Sequence, residues 1–310
     1  MKKFLHIGLS TYPNTHSKEM RQVFNTGEWQ AEDIAVQHPD LNNEIIRVAN
    51  AYKPDLTWIQ IQSDGISQEA IKALKDNGSF LIQWSGDKRG ILPECYFRYA
   101  SWGLDLSTFS NIEDVNIMRG CGYNADFLQI GYSTEIYHPD ESVIKDIDVC
   151  FMGNSFSHFP LSGLRKDMVR ELKRVYGDRF KAFGSGMPDG NLSSDQFAEA
   201  AMYRRCKIGI NLSHFDTARY TSDRLFRMLG CGVCVLSKSF PKWETEFIHG
   251  VELVIWEDID HLKQLINETL SNPTILNNIA KKGNELALRR YTFAEMAKNI
   301  ELLYNKYKPQ

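Results

Sequence analysis

The stretch RYTSDRLFRMLGCGVCVLS, residues 219–237, predicts a helix that leads directly into a buried strand. Ser222 is a suitable helix N-cap. Leu225 and Leu229 are four residues apart and therefore lie on one side of the helix. A Gly-Cys-Gly turn follows, and VCVLS is a short apolar run typical of a strand covered on both faces. The stretch therefore predicts one unit of an α/β sheet.

The same alternation of apolar runs and amphipathic helices extends along the chain. In the first half the predicted strands are 3–9, 55–62, 79–84, 105–110 and 126–130; in the second they are IDVCFMG, RFKAFGSG, KIGINLS, GVCVLS and ELVIWE, between helices at 161–176, 195–204, 222–230, 258–270 and 273–289. Apolar strands that alternate with helices are typical of parallel sheets covered on both faces. The polar segment 132–146 separates the two series, so we expect two Rossmann-like domains.

Bulk composition agrees with this organisation. A chain of 310 residues, 43% of them hydrophobic, suits two domains of roughly 150 residues each. The net charge of −3 gives no overall attraction to nucleic acid or anionic membrane. No uninterrupted apolar run reaches the roughly 18 residues expected of a membrane-spanning helix. The six cysteines are scattered, and Cys231 and Cys234 enter a strand. We therefore expect core thiols and a reducing compartment, the cytoplasm.

Small and polar residues follow four predicted strands of the second half, where ligands bind in open parallel sheets. They are Gly153, Asn154, Gly184, Gly186, Asn211, Ser213, Trp256 and Glu257. Glycine and small polar residues let backbone amides approach a ligand closely. Any α/β protein needs such turns, but four of them on one edge of one sheet predict a binding site.

Arg224 and Arg227 are unusual because they stand near the beginning of the predicted helix. The N-terminus of a helix already carries partial positive charge, so a cation there costs a few tenths of a kcal/mol unless an anion binds. Free amides, the helix dipole and guanidinium groups together form a phosphate site. The alternative is that Asp223 and neighbouring carboxylates neutralise both arginines. We favour a diphosphate site that begins at Ser222.

These residues resemble a known family. The segments SDRLFRMLGCGVCVLSKSFPKWETEF and NPTILNNIAKKGNELALRRYTFAEM are similar to the C-terminal half of GT-B glycosyltransferases, most of all to the group named after the CgeB spore maturation protein. The similarity covers roughly 147–305. The motifs IQIQSDG, QWSGDKRG and LQIGY of the first half are more loosely similar to the N-terminal domains of such proteins, some of which are encoded by phages.

The resemblance implies a fold and a set of roles. It implies the GT-B fold, with an acceptor domain at 1–140, a nucleotide-sugar domain at 141–291, the donor between them and a C-terminal helix at 292–306 that crosses back. The roles carried over are diphosphate contact by Ser222 and Arg224, donor contact by Gly153 and Asn154, approach to the base by Gly184 and Gly186, and contact with ribose or sugar hydroxyls by Trp256 and Glu257.

The sequence departs from the family pattern at two positions. Many retaining GT-B enzymes have a Glu where this chain has Arg227 and another where it has Arg219. The departure leaves inversion or retention open. It also leaves Arg227 with the expected role of neutralising phosphate.

Glycosyl transfer requires a stabilised leaving diphosphate and a deprotonated acceptor hydroxyl. The resemblance implies that a helix N-terminus and basic side chains perform the first task without an essential metal, and no DxD pair stands out as a metal clamp. For the second task we favour Asp87 in QWSGDKRG as the base. The alternatives are Asp64, His214 and His158. Asp87 could instead pair with Lys88 or Arg89, or cap the helix near residue 92.

The sequence thus predicts a hexosyl- or pentosyltransferase that requires no cofactor besides its nucleotide-sugar donor, expected to be a UDP-sugar. The acceptor classes left open are a carbohydrate, a protein, a small molecule and a hydroxymethylated pyrimidine in phage DNA. Lys88, Arg89 and Arg98, among aromatic residues, would suit a flipped base, although a solvated surface explains them equally well. The alternative functions are a GT-B-like nucleotide-sugar epimerase and a non-catalytic sugar-nucleotide-binding protein. Oligomeric state and the identity of the sugar stay open.

Overall fold

A computed structural model describes residues 1–8, 15–25, 28–60, 63–192 and 195–308. The chain divides into two compact units. The first unit consists of Met1–Ile130 together with Phe293–Gln310, and the second consists of Gly131–Thr292. Each unit is a Rossmann-like arrangement of helices around a parallel sheet, which confirms the predicted fold class.

Within the described residues, the sheet of the first unit has six parallel strands in the order β2-β1-β3-β4-β5-β6. The strands are β1 (Lys2–Gly8), β2 (Trp29–Ala35), β3 (Leu56–Ile59), β4 (Phe80–Ser85), β5 (Leu106–Phe109) and β6 (Ala125–Phe127). The helices are α1 (Thr15–Phe24), α2 (Leu41–Tyr52), α3 (Gln68–Asp76), α4 (Glu94–Ser101) and α5 (Ile112–Gly120). Side-chain caps fix two helix starts: Ser67 accepts from the amide of Ala70 at 3.2 Å, and Asn111 from that of Asp114 at 2.9 Å.

Strand β2 was absent from the sequence prediction. In the described part of the chain it is an edge strand, with β1 as its one neighbour. Its sequence WQAEDIA alternates between buried and more exposed positions and contains two carboxylates. A search for continuous apolar runs finds strands covered on both faces, and therefore passes over a half-solvated edge strand.

The second unit contains a sheet of five parallel strands, within the described part of the chain, in the order β11-β10-β9-β7-β8. The strands are β7 (Ile147–Met152), β8 (Phe180–Phe183), β9 (Cys206–Asn211), β10 (Cys234–Lys238) and β11 (Val254–Trp256). The helices are α6 (Ser162–Tyr176), α7 (Gln196–Arg204), α8 (Asp223–Gly230), α9 (Ile259–Ser271) and α10 (Pro273–Arg290). All ten elements coincide with predicted ones. Cys231 and Cys234 are buried free thiols, as expected.

The last helix, α11 (Phe293–Tyr307), belongs to the first unit although it follows the second in sequence. Phe293, Met296 and Ile300 pack into the apolar layer on the face of the first sheet that α1 also covers. The indole of Trp29 donates to Glu301 at 2.7 Å. Burial of this apolar face explains why the chain returns to its first unit.

The segment 131–140 packs on the second unit. The amide of Tyr132 donates to the carbonyl of Tyr291 at 2.9 Å, and Arg204 donates to the carbonyls of Ile136 and His138 at 2.5 Å and 2.9 Å. The boundary between the compact units therefore falls after Ile130, ten residues before the boundary used in the sequence prediction.

Candidate functional site

Strands β7 and β9 of the second sheet are neighbours in space but not in sequence. Strand β8 lies on the other side of β7, so the direction in which strands are added reverses between β7 and β9. In open parallel sheets such a reversal opens a crevice at the carboxyl ends of the strands, and ligands bind there. The loops that leave this point are 153–161 and 212–222.

Arg165 of α6 joins the ends of these two strands. Its side chain is fully buried and lies over the ring of Phe151. Nη1 donates to the carbonyl of Asn154 at 2.9 Å, and Nη2 to that of Leu212 at 2.6 Å. No carboxylate of the described residues pairs with it. Burial, reinforced by the charge of Arg224, lowers the pKa of Arg165 to about 9, so the group remains a cation at neutral pH.

The sequence analysis did not identify Arg165, although a signal was present. Arg165 stands on the face of α6 that also carries Met168, Val169 and Leu172, at spacings of three, four and seven residues. A charged residue on the apolar face of an amphipathic helix breaks the expected alternation of apolar and polar positions. Such a residue is expected to be buried and to bind polar groups inside the protein.

His214 follows β9 and contacts Arg165. Nε2 of His214 lies 2.7 Å from Nη1 of Arg165, and the imidazole packs on Phe159 with ring centroids 4.2 Å apart. Burial is the main cause that lowers the pKa of His214 to about 3, and the charges of Arg165 and Arg224 add to it. The imidazole is therefore neutral at pH 7.

The loop before α8 is held by polar side chains at the end of β9. Nδ2 of Asn211 donates to the hydroxyls of Thr221 at 3.1 Å and Ser237 at 2.9 Å, and Ser213 Oγ accepts from the amide of Ser222 at 3.1 Å. Asn211 and Ser213, predicted to bind the donor, thus position the start of the helix through these side-chain contacts. Each is buried.

Ser222 occupies the predicted N-cap position of α8 with extended backbone, but its side chain makes no capping bond. The Ser222 hydroxyl is buried, and no hydrogen-bond partner for it exists among the residues that the structure covers. A buried hydroxyl without a partner costs free energy. Its position at a helix N-terminus suits an anion as the missing partner.

Arg224 stands in the first turn of α8 and is partly exposed. In the described ranges no Asp or Glu forms an ion pair with it. The charge of Arg224 acts on Arg165. Two guanidinium groups without carboxylate partners in the described ranges therefore belong to the carboxyl edge of the second sheet: Arg165 joins the ends of β7 and β9, and Arg224 stands in the first turn of α8. This arrangement can bind a phosphate or diphosphate group.

Arg227 does not share this position, which corrects its assignment. Its Nη1 lies 2.8 Å from Oε2 of Glu199, its Nη2 lies 2.5 Å from Oδ2 of Asp223, and its guanidinium covers the ring of Tyr137. The two carboxylates already compensate its charge. The alternative of neutralisation by neighbouring carboxylates therefore applies to Arg227.

The glycines after β7 and β8 allow two loops to pack against each other. A Cβ on Gly184, whose φ is +134°, would lie 2.1 Å from the carbonyl oxygen of Gly153. A Cβ on Gly186, whose φ is +74°, would lie 2.0 Å from Ser155 Oγ. The side-chain oxygen of Asn154 accepts from the amide of Ser185 at 3.0 Å. These residues therefore shape the floor beside Arg165, and their contact with a nucleotide stays a prediction.

Trp256 is a second correction. It is fully buried among the apolar residues of the second unit, and its indole donates to the carbonyl of Leu236 at 3.2 Å. The whole side chain is packed in the core and its one polar atom already has a partner, so Trp256 offers neither surface nor a hydrogen bond to a ribose. Glu257, the next residue, is exposed and accepts from Ser239 Oγ at 2.5 Å, so it remains accessible to a ligand.

Asp87 lies in the first unit, in the loop after β4, and is exposed. Its neighbour Lys88 is buried and pairs with Asp114 at 2.7 Å, so Lys88 is not committed to Asp87. Asp64, an alternative base, forms an ion pair with Arg98. His158, in the second unit, is exposed and packs on Phe159 at 4.1 Å between ring centroids.

Among the described residues, no three His, Cys, Asp or Glu side chains converge in a way that could hold a metal ion. None of the helices described combines the length and hydropathy that a bilayer crossing demands.

Comparison with known proteins gives one sequence match and a clear structural likeness. Residues 165–301 match a family model described as glycosyl transferase-like. No curated protein matches the chain by sequence.

The structural likenesses extend over whole chains at low identity. HepE of Anabaena in complex with UDP is 12% identical, with a TM-score of 0.62 over 99% of this chain and 100% of that one. A sucrose-phosphate synthase of Thermosynechococcus elongatus is 11% identical, with a TM-score of 0.63 over 99% of both chains. A glycosyltransferase of Rickettsia africae is 10% identical, with a TM-score of 0.63 over 100% of this chain and 99% of that one.

Both units of the chain take part in these likenesses, and the segment matched by the family model begins at Arg165 and includes all of α8. The chain therefore has the GT-B fold of glycosyltransferases, and its uncompensated arginines lie inside or at the start of the segment that matches the glycosyl transferase-like model.

Proposed function

We propose that this protein is a glycosyltransferase that takes a sugar from a UDP-sugar. The observation that carries the proposal is the pair Arg224 and Arg165, two guanidinium groups without carboxylate partners in the described chain, at the switch point of the second sheet. The family model over 165–301 supports the reaction class. HepE, which has the same fold, has been crystallised with UDP and with UDP-glucose, and this supports the choice of uridine.

In this proposal the diphosphate binds at the N-terminus of α8. Arg224, the positive end of the α8 dipole and the Ser222 hydroxyl stabilise the charge that develops on the leaving group as the glycosidic bond breaks. Arg165 adds positive charge from its buried position at the ends of β7 and β9. Gly153, Asn154, Gly184 and Gly186 form the neighbouring loops, and Glu257 is the accessible candidate for a sugar or ribose hydroxyl.

Asp87 is our proposed base for the acceptor hydroxyl. It is exposed in a glycine-flanked loop at the carboxyl end of β4. We retain carbohydrate, protein, small molecule and hydroxymethylated pyrimidine in DNA as acceptor classes. Hexosyl and pentosyl transfer both stay within the proposal, as does membership of the CgeB-like group and its phage members.

Donor binding is tested first with the wild-type protein. UDP, GDP, ADP and TDP are compared by thermal shift and by titration calorimetry, and a ligand at 100 times its Kd adds about 2.7 kcal/mol of stability. We expect UDP to give the largest shift. Failure of all four diphosphates to bind would contradict the proposal.

Turnover is tested with Asp87→Asn. We expect loss of transfer from a UDP-sugar while UDP affinity is retained, because Asp87 acts on the acceptor and not on the donor. Asp105→Asn is unsuitable as a control because Asp105 is partly buried, pairs with Lys75 and accepts from the amide of Leu81. Asp76→Asn is the matched control, because Asp76 is exposed and its pair with Lys72 is a solvent-exposed one on the same helix. Conversion of the nucleotide sugar without any acceptor would instead indicate an epimerase.

A further inference from the structure

The contact between Arg165 and His214 determines where the imidazole carries its proton. A guanidinium group has only N–H donors and no acceptor. Nη1 of Arg165 lies 2.7 Å from Nε2 of His214, so Nε2 must accept that hydrogen bond. A neutral imidazole with an accepting Nε2 carries its hydrogen on Nδ1. Arg165 therefore selects one of the two tautomers of His214.

The Nδ1–H group that results has no acceptor. Nδ1 of His214 is buried, and no atom of the described residues forms a hydrogen bond with it. Two contacts hold the residue in place: the ring packs on Phe159 at 4.2 Å, and the carbonyl of His214 accepts from the amide of Leu161 at 3.1 Å. A buried N–H that cannot rotate toward water is costly, and this cost is removed when an acceptor arrives.

Ser222 provides a second buried polar group, its hydroxyl, that lacks a hydrogen-bond partner among the described residues. Ser213, the residue before His214, holds the amide of Ser222 through its hydroxyl, so the two groups lie on directly connected backbone segments. Arg224 acts electrostatically on His214. Two neutral donors, on His214 and Ser222, thus lie on segments joined by the Ser213–Ser222 hydrogen bond, and the charge of Arg224 acts on one of them.

We propose that Arg165 is a positioning residue that fixes His214 as an Nδ1–H donor, and that an oxygen of the bound diphosphate is the acceptor this donor lacks. The inference rests on the proposed function and adds a recognition group to it. A neutral donor contributes a hydrogen bond to the anion without adding a third positive charge beside Arg165 and Arg224. Ser222 contributes in the same way.

A pair of substitutions at His214 separates the two nitrogen positions. In His214→Asn the side-chain amide nitrogen takes the place of Nδ1, whereas in His214→Gln it takes the place of Nε2. We expect His214→Asn to keep the Kd for UDP within about threefold of wild type. We expect His214→Gln to raise it about tenfold or more, since it loses a hydrogen bond to a charged group. Equal affinity in both variants, or equal weakening, would overturn the inference.

A measurement on the wild-type protein tests the tautomer directly. Long-range ¹H–¹⁵N spectra of protein labelled at histidine distinguish Nδ1–H from Nε2–H. We expect the His214 signal, assigned by its absence in His214→Asn, to show Nδ1–H, and an Nε2–H form would overturn the inference. In Arg165→Met we expect the selection to be lost; if that variant does not fold, the wild-type spectrum still decides.

The two proposals can fail separately. If wild type binds UDP and Arg224→Gln weakens binding while His214→Gln does not, only the present inference fails. If no nucleoside diphosphate binds wild type, the proposed function fails, and the assignment of an anion as the acceptor fails with it.

Discussion

Nη1 of Arg227 and Oε2 of Glu199 lie 2.8 Å apart in the interior of the second unit. Glu199 also accepts hydrogen bonds from the hydroxyls of Tyr137 and Tyr203, at 2.7 Å and 3.0 Å. Arg224, three residues earlier on the same helix, has no carboxylate partner among the described residues. Two arginines one turn apart therefore differ in purpose: one compensates a buried carboxylate, and the other is available to an anion.

Arg224→Gln should weaken UDP binding without unfolding the protein. We expect the Kd for UDP to rise between about tenfold and a hundredfold, because a charged hydrogen bond to phosphate is lost. Calorimetry gives the affinity, and thermal unfolding checks the fold. Arg170→Gln, on the exposed face of α6, is the control and should leave the Kd unchanged. An unchanged Kd in Arg224→Gln would remove this residue from the site.

Arg227→Met should lower the stability of the fold, whereas Arg224→Gln should lower the affinity for UDP. Removal of Arg227 leaves the carboxylate of Glu199, which is 2% exposed, without its cation, and breaking such a buried pair costs about 3–5 kcal/mol of unfolding free energy. Urea unfolding measures the loss. The double variant Glu199→Gln with Arg227→Met should recover part of it, since no buried charge remains. A loss below about 1 kcal/mol in Arg227→Met would show that the pair is not structural.

Gly184→Ala tests the packing of the two loops beside the site. The residue has φ at +134°, and an added Cβ would lie 2.1 Å from the carbonyl oxygen of Gly153, so backbone must move. We expect a loss of about 1–3 kcal/mol in stability. Gly163→Ala in α6 is the control: open space surrounds that position, and alanine there should stabilise by up to about 1 kcal/mol. Equal effects of the two substitutions would contradict the prediction.

His214 should make the protein less stable in acid. In the folded protein its pKa is lowered to about 3, whereas in the unfolded chain it has the ordinary value near 6.5. Between these values the unfolded chain binds more protons, so this residue's contribution to stability is lost as the pH falls below about 6.5. The charges of Arg165, Arg224 and His158 also act on His214. All three groups are retained in His214→Asn, so this variant removes the titration of the imidazole alone.

Urea unfolding at pH 7 and pH 5 measures this contribution. We expect the free energy of unfolding to fall more in wild type than in His214→Asn over that interval, because asparagine does not titrate. Identical pH dependence would mean that His214 binds its proton equally well in both states. The affinity for UDP-glucose should be constant from pH 5 to pH 8, since the imidazole stays neutral throughout.

The sequence predicted the second unit closely because its elements have strong local signals. Each of its strands is an apolar run, and α8 has a Ser at its N-cap and an apolar face through Leu225 and Leu229. The edge strand β2 escaped detection because its residues alternate between buried and more exposed positions and so form no continuous apolar run. The proposed anion-binding role of Arg224 follows from its place near a helix N-terminus, which is also a local property.

Only the tertiary structure shows that Trp256 is in the core and which groups Arg227 and Arg165 contact. Trp256 is the last residue of the buried run of β11, and only the packing around it shows that its side chain enters the core. Arg227 and Arg224 look equivalent in sequence, because the carboxylate that separates them, Glu199, stands 28 residues away from Arg227 on α7. Arg165 reaches carbonyls 11 and 47 residues distant.

The sequence by itself determined the alternation of strands and helices, the two Rossmann-like units and a helix start suited to an anion. Periodicity and capping act between residues a few positions apart, and are therefore legible along the chain. Only the tertiary structure decided which arginine is neutralised, and which nitrogen of His214 accepts a hydrogen bond. Those outcomes depend on charges and donors brought together from distant segments, whose distances the linear order does not specify.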